Sequence, residues 1–202
     1  AKHFPGHGNT DMDSHKDLPT ISGSAKSIED NELYPFREMI NNQVGSIMIA
    51  HLQVPALDNT PNTPTTLSKK VVTDLLKNKY NYKGLIITDA LNMSGVTKNR
   101  IPGELDYQAF MAGNDILLFS QDVSAAVKKI SDAIENGTIT EERLEESVKK
   151  ILKAKYFVGL NKTRTISAEN ITTDLNQYTS SIRSLVAKEA TTLLSDQYNI
   201  LD

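Results

Sequence analysis

Three of the four histidines, His3, His7 and His15, fall within the first fifteen residues, in Lys2-His3-Phe4-Pro5-Gly6-His7-Gly8 and in Asp13-Ser14-His15. Polar, hydrogen-bonding residues in a segment shaped by Gly and Pro suit a reaction loop better than a dry interior. An imidazole with a pKa of about 6.5 can give up a proton and take it back near neutral pH. A carboxylate two residues away, Asp13, can fix the tautomer of His15 and stabilise its charged form if the side chains meet on a turn. On spacing alone, Asp-x-His is a weak signal and favours a solvated loop. Asp89 is the other candidate, because it directly follows the apolar run Leu85 to Ile87. A carboxylate there can serve as nucleophile or base, or else as the N-cap of the segment that follows. Asp115 opens its apolar run instead of closing it, which favours a structural role. Lys2 and His3 either hold ligand hydroxyls or line a strand end.

Other chemistries fit less well. Gly6-His7-Gly8 lacks the ending of a phosphate-binding loop and the spacing of a dinucleotide fingerprint. His3, His7, Asp13 and His15 are possible zinc ligands by type, but their spacing matches no standard metal motif, and we expect no metal site. Cysteine is absent, which removes disulfides and thiolate sites and leaves the compartment open. The net charge of -3, with lysines interleaved among acids, gives no footprint for nucleic acid; a small polar or neutral ligand fits better. No apolar run approaches the length of a membrane span. The chain starts at Ala1, without an initiator Met, and runs at once into a site motif, so we expect it to begin in mid-domain.

The elements that must position these residues alternate. With 202 residues, 39% hydrophobic, the chain can bury one sizeable core. The spacing of Leu33, Phe36, Met39 and Ile40 predicts a helix over 28–43. Gly45 to His51 predicts a strand buried on both faces. A loop with Pro55, Pro61 and Pro64 leads to Ser68, a cap for a helix over 69–79 with Val72, Leu75 and Leu76 inward. Gly84 to Asp89 and Asp115 to Phe119 predict the next two strands. Helices are expected over 123–136, with Val127, Ile130 and Ile134 inward, over 140–156, and over 180–194 with an apolar stripe at Ile182, Leu185, Val186 and Ala190. Counting Ala1 to Phe4 as a strand end gives four βα units, an α/β chain with a parallel sheet. His3, His51, Asp89 and Ser120 then stand at the carboxyl ends of strands. A βα barrel does chemistry at that face, and an open doubly wound sheet binds ligands at the same ends.

With these positions in hand, the chain resembles the catalytic domain of family 3 glycoside hydrolases, in the bacterial β-N-acetylglucosaminidase branch. The resemblance rests on residues 2–8 and 13–15, on Ala50-His51-Leu-Gln-Val-Pro55-Ala-Leu-Asp58, on Lys83-Gly-Leu-Ile-Ile-Thr-Asp89-Ala-Leu-Asn-Met93 and on Ala112-Gly113-Asn-Asp115. It implies a parallel (β/α) barrel of the TIM type, of which only the last four βα units are present, a half-barrel. It implies Asp89 as nucleophile, His15 as acid/base with Asp13 as its partner, and Lys2, His3, His51 and Met93 as substrate-binding residues. The implied activity is retaining hydrolysis of N-acetylglucosaminides, peptidoglycan-derived or chitin-type, with no cofactor. An imidazole acid/base also avoids placing two carboxylates together. Freedom of the loop 5–27, with Gly6, Gly8 and Gly23, would bring His15 to the substrate.

On this reading residues 1–160 form the carboxyl-terminal half of the barrel, and 161–202 form a linker and a helix leading toward a second domain. The expected partners are an N-acetylglucosamine-containing saccharide and whatever completes the barrel, either the missing half or a second copy. The alternatives are a non-catalytic sugar-binding or structural half-barrel, a metal-dependent hydrolase and a phosphorylase.

Overall fold

A computed structural model of the chain describes residues 1–8, 10–12, 17–97, 101–162, 165 and 167–195. It falls into two compact units, Ala1–Asn161 and Lys162–Asp202.

In the first unit, four parallel segments lie side by side in chain order. The two central ones are β1 (Ser46–Ile49) and β2 (Leu85–Thr88), paired Ser46 with Leu85 through Ile49 with Thr88. Phe4 pairs with Ile49 on one side, where its N–H donates to Met48 O at 2.8 Å and its carbonyl accepts from Ala50 N at 2.8 Å. On the other side Ile116 pairs with Ile87, and the Thr88 hydroxyl accepts from Leu118 N at 2.9 Å, so a side chain joins the backbone ladder there. Parallel neighbours need crossovers, and helical segments supply them.

Between the opening segment and β1 come α1 (Ala25–Asp30) and α2 (Tyr34–Asn41). The single helix expected over 28–43 is therefore broken at Asn31 to Leu33. Pro35 sits in the first turn of α2, where its missing N–H costs nothing; inside one continuous helix its ring would strike the carbonyl four residues back. The crossover from β1 to β2 is a helix over Lys70–Lys79, wound widely enough that Tyr80 N donates to Leu75 O, five residues back. Ser68 caps its start as expected, accepting from Val71 N at 3.2 Å. Then follow α3 (Ser94–Thr97), α4 (Glu104–Ala112), α5 (Val123–Glu135) and α6 (Glu141–Phe157). Asp122 and Thr140 cap the last two, accepting from Ala125 N and Arg143 N.

The strands are not dry on both faces. Ile47, Ile49 and Ile86 point toward the helices and pack with Phe4, Phe36, Val71, Val72 and Leu76 in the main core. The alternate residues Ser46, Met48, Leu85 and Ile87 are only half-buried, because among the described residues helices cover one face of the sheet. Val127, expected inward on α5, is exposed; Ala126 and Ala133 take the buried positions. On α6 the residues Leu144, Val148, Leu152 and Tyr156, spaced by four, form an exposed apolar stripe.

The second unit contains α7 (Ile171–Asn176) and α8 (Thr179–Ala190). Neither buries a residue, and Ile182, Leu185 and Val186 of the expected stripe are exposed.

Candidate active site

The alternation of side chains along the strands sets the site. Because Phe4, Ile49 and Thr88 are in register, His3, Met48 and Ile87 share the open face, and Asp89 follows Ile87 on that same face. His3 Nε2 lies 3.8 Å from Asp89 Oδ2, with the two side chains 28% and 18% exposed. Asp89 N donates to Ile49 O at 2.9 Å, which fixes its backbone at the strand end. Oδ1 of Asp89 accepts from Ala90 N at 2.8 Å. That bond anchors one oxygen and leaves the other directed at His3. The alternative role as an N-cap does not fit, because the next helix, α3, begins only at Ser94.

Lys2 is exposed beside His3, and the His7 ring meets His3 edge to face at a centroid distance of 5.5 Å. His3 and Asp89 are thus brought together at one end of the sheet. Asp13 and His15 lie outside the described residues. So do two of the four side chains considered for zinc, and among the described residues no group of three candidate ligands converges.

His51 has another place. Its ring is 1% exposed, with Nδ1 at 2.7 Å from the Thr66 hydroxyl and Nε2 at 3.0 Å from Ala90 O. A carbonyl can only accept, so Nε2 carries a proton, and both ring nitrogens are engaged with the protein. The substrate contact that the resemblance implies is an expectation; in this structure His51 braces the backbone that carries Asp89. Met93 is likewise 8% exposed and packs with Leu91, Val96, Leu105 and Ala109, so it belongs to the small core behind the strand end.

The loop that leads toward His15 is held at both described ends. A Cβ on Gly6 would lie 3.0 Å from Glu32 Cβ, and one on Gly8 would lie 3.0 Å from Ile21 Cγ2. These glycines allow close approach as well as positive φ, and do not by themselves make hinges. Downstream, Ile21 N donates to Gln53 O at 2.9 Å, and Gln53 N to Pro19 O at 2.8 Å. Of the loop 5–27 expected to move, these described residues are held by the body of the protein.

Several supporting residues went unassigned on sequence. Asp58 accepts from Ser68 at 2.6 Å, Lys70 at 3.0 Å and the Thr60 hydroxyl at 2.8 Å. Burial alone would raise its pKa; those hydrogen bonds outweigh burial and hold it at about 2. Its place in the Pro55-Ala-Leu-Asp58 turn, ten residues before a capping Ser, was the available signal. Asp115 has the structural role expected of it: it accepts from Ile86 N at 3.0 Å and from the Ser147 hydroxyl at 2.6 Å.

Comparison with known proteins agrees with this geometry. Residues 1–154 match the family model described as "Glycosyl hydrolase family 3 N terminal domain". The chain is 36% identical over 173 residues to the Beta-hexosaminidase A of Pseudoalteromonas piscicida, covering 76% of this chain and 29% of that protein. Among solved structures it is similar to a glycoside hydrolase family 3 beta-N-acetylglucosaminidase from Paenibacillus sp. str. FPU-7, with a TM-score of 0.78 and 37% identity over 83% of this chain and 32% of that one. It is also similar to a beta-glucoside phosphorylase, BglX, with a TM-score of 0.87 and 26% identity over 99% of this chain and 38% of that one. The chain thus spans about a third of the length of these relatives. With a TIM-barrel-type fold in the matched domain and a carboxylate set at the strand end where such folds do chemistry, the chain belongs to glycosyl hydrolase family 3.

Proposed function

We propose that the parent protein is a retaining β-N-acetylglucosaminidase and that this chain carries its nucleophile and its acid/base. The observation behind this reading is the Asp89 carboxylate, held through Oδ1 by Ala90 N and open through Oδ2 toward His3. In the first displacement Asp89 attacks the anomeric carbon, while the leaving oxygen takes a proton from His15, and a glycosyl-aspartate forms. In the second, His15 takes a proton from water, the hydroxide attacks the same carbon, and the Asp89 carboxylate leaves. Two inversions give net retention. Asp13 stabilises the protonated ring of His15, and Lys2 and His3 hold ring hydroxyls. The substrate class is an N-acetylglucosaminide, chitin-type or derived from peptidoglycan.

The half-exposed strand face of Ser46, Met48, Leu85 and Ile87 suits closure of a barrel around these four βα units by further strands. Residues 1–160 are then the catalytic half-barrel, and 161–202 lead toward another domain. The test is hydrolysis of a chromogenic N-acetylglucosaminide by the completed barrel, comparing wild type with Asp89→Ala. Rates equal in the two proteins would remove Asp89 from the mechanism. His15→Ala should spare substrates with an activated aryl leaving group far more than alkyl glycosides, since only the latter need a proton in the first step.

The TM-score of 0.87 to a phosphorylase supports a second reading, transfer of the glycosyl group to phosphate. An imidazole in place of a carboxylate does not repel that anion. Product analysis in phosphate buffer separates the two: glycosyl phosphate for phosphorolysis, free sugar for hydrolysis.

A further inference from the structure

At the amino-terminal end of β2, opposite to Asp89, lies a groove of about 380 Å³ whose lining includes Thr73, Lys77, Lys83, Arg143, Glu146 and Lys150. Its charges do not balance. Behind it sits the fully buried Asp115 carboxylate, with Lys150 Nζ at 3.2 Å, Arg143 at 3.8 Å and Lys77 at 4.0 Å. Glu146, half-exposed, is the other carboxylate, at 3.4 Å from Lys150 and 3.9 Å from Lys77. The fifth lining cation, Lys69, is paired with Asp74 at 2.8 Å; Lys77, Lys83, Arg143 and Lys150 therefore face two carboxylates.

The four cations are engaged to different degrees. Arg143 is bound by the protein, donating to Asn114 O at 2.7 Å and to the Ser147 hydroxyl at 2.5 Å, with its guanidinium over the Phe110 ring. Lys150 donates to Asp115. Lys77 differs from both. Its side chain is only 13% exposed, yet its ammonium approaches the two carboxylates no closer than 3.9 Å, beyond hydrogen-bond reach, and no acceptor for its three N–H groups occurs among the described residues. Burial, and then the nearby Arg143, depress its pKa to about 8. Neutralising Asp115 does not require this third cation, because Arg143 and Lys150 already suffice. A largely buried lysine whose ammonium opens on a groove with surplus positive charge suits an acceptor-rich anion.

We propose that this groove is a binding site for a phosphoryl-type oxyanion, centred on Lys77 with Lys83 at its rim. It stands apart from the glycosidase reading, since the groove and Asp89 occupy opposite ends of β2. The anion can be inorganic phosphate or the phosphate of a sugar monophosphate, and both present the same tetrahedral set of acceptors.

Isothermal titration calorimetry of the full chain with inorganic phosphate, with a sugar monophosphate and with sodium chloride at matched ionic strength tests the proposal. Saturable binding of either phosphate at one site, without an equal response to chloride, is expected. Lys77→Met should weaken that binding at least tenfold. Lys83→Glu, a change at an exposed position that leaves the core untouched, should also weaken it at least tenfold, so the test stands even if the buried variant folds poorly. Tighter binding of the sugar monophosphate would identify the source as a phosphorylated sugar, and equal binding would identify free phosphate. Absence of binding by wild type, equal effects of chloride and phosphate, or unchanged affinity in both variants would overturn the site.

Discussion

His51 Nε2 donates to the carbonyl oxygen of Ala90 at 3.0 Å, so a buried ring on the segment after β1 holds the peptide that follows the Asp89 carboxylate at the end of β2. The N–H of the same residue, in the preceding peptide group, donates to Asp89 Oδ1. One residue is thus fixed through its carbonyl while its N–H orients the Asp89 carboxylate.

His51→Ala removes that brace and leaves the Ala90 carbonyl without the ring N–H, while the Thr66 hydroxyl keeps Ala50 O as its acceptor. A loss of roughly 1–3 kcal/mol is expected in urea unfolding. In the completed enzyme kcat should fall while KM changes little, because the defect lies in the aim of Asp89 and not in sugar contact. A rise in KM with kcat unchanged would return His51 to direct substrate binding.

Asp115 joins β2 to α6 through Ile86 N, Ser147 and Lys150. Asp115→Ala leaves Lys77, Arg143 and Lys150 crowded together without their central anion. Breaking a buried pair in this way costs roughly 3–5 kcal/mol. Denaturant unfolding measures it, and a loss below 1 kcal/mol would deny Asp115 this role.

The Asp58 carboxyl is held at about 2 in the fold against an ordinary value of 3.8. Its stabilising contribution is therefore complete above pH 3.8 and is lost as pH falls toward 2, since the unfolded chain binds the proton first. The difference corresponds to about 2 kcal/mol. Unfolding midpoints of wild type and Asp58→Asn measured across pH 5 to 2 should converge as the pH falls; a gap independent of pH would contradict the assignment.

The α6 stripe of Leu144, Val148, Leu152 and Tyr156 should make the isolated chain self-associate as concentration rises. Light scattering should show dissociation on dilution. Leu152→Glu with Tyr156→Glu should give a monomer that remains folded, because neither side chain contributes to the cores. A wild-type chain monomeric at every concentration would refute this.

The two strands and the position of Asp89 at a strand end were legible because apolar runs ending in a polar residue have a direct physical meaning: one face of the run is buried and its end is presented. Leu85 to Thr88 followed by Asp89 is the clearest case. The break between α1 and α2 was also written in the chain, at Pro35, but the spacing of Leu33, Phe36 and Ile40 continues across it and masks the interruption. The surroundings of His51 were hidden for a different reason. A histidine at a strand end looks the same on paper whether its ring faces solvent or lies beneath the next loop, and only the positions of Thr66 and Ala90 decide. Val127 follows the same logic, since periodicity identifies an apolar face and says nothing of what covers it.

The pairing of Pro19 and Ile21 with Gln53 acts as a mooring post on the loop after β1. Gln53 lies two residues beyond His51, so a pull on that anchor is passed to the ring that supports the Ala90 carbonyl.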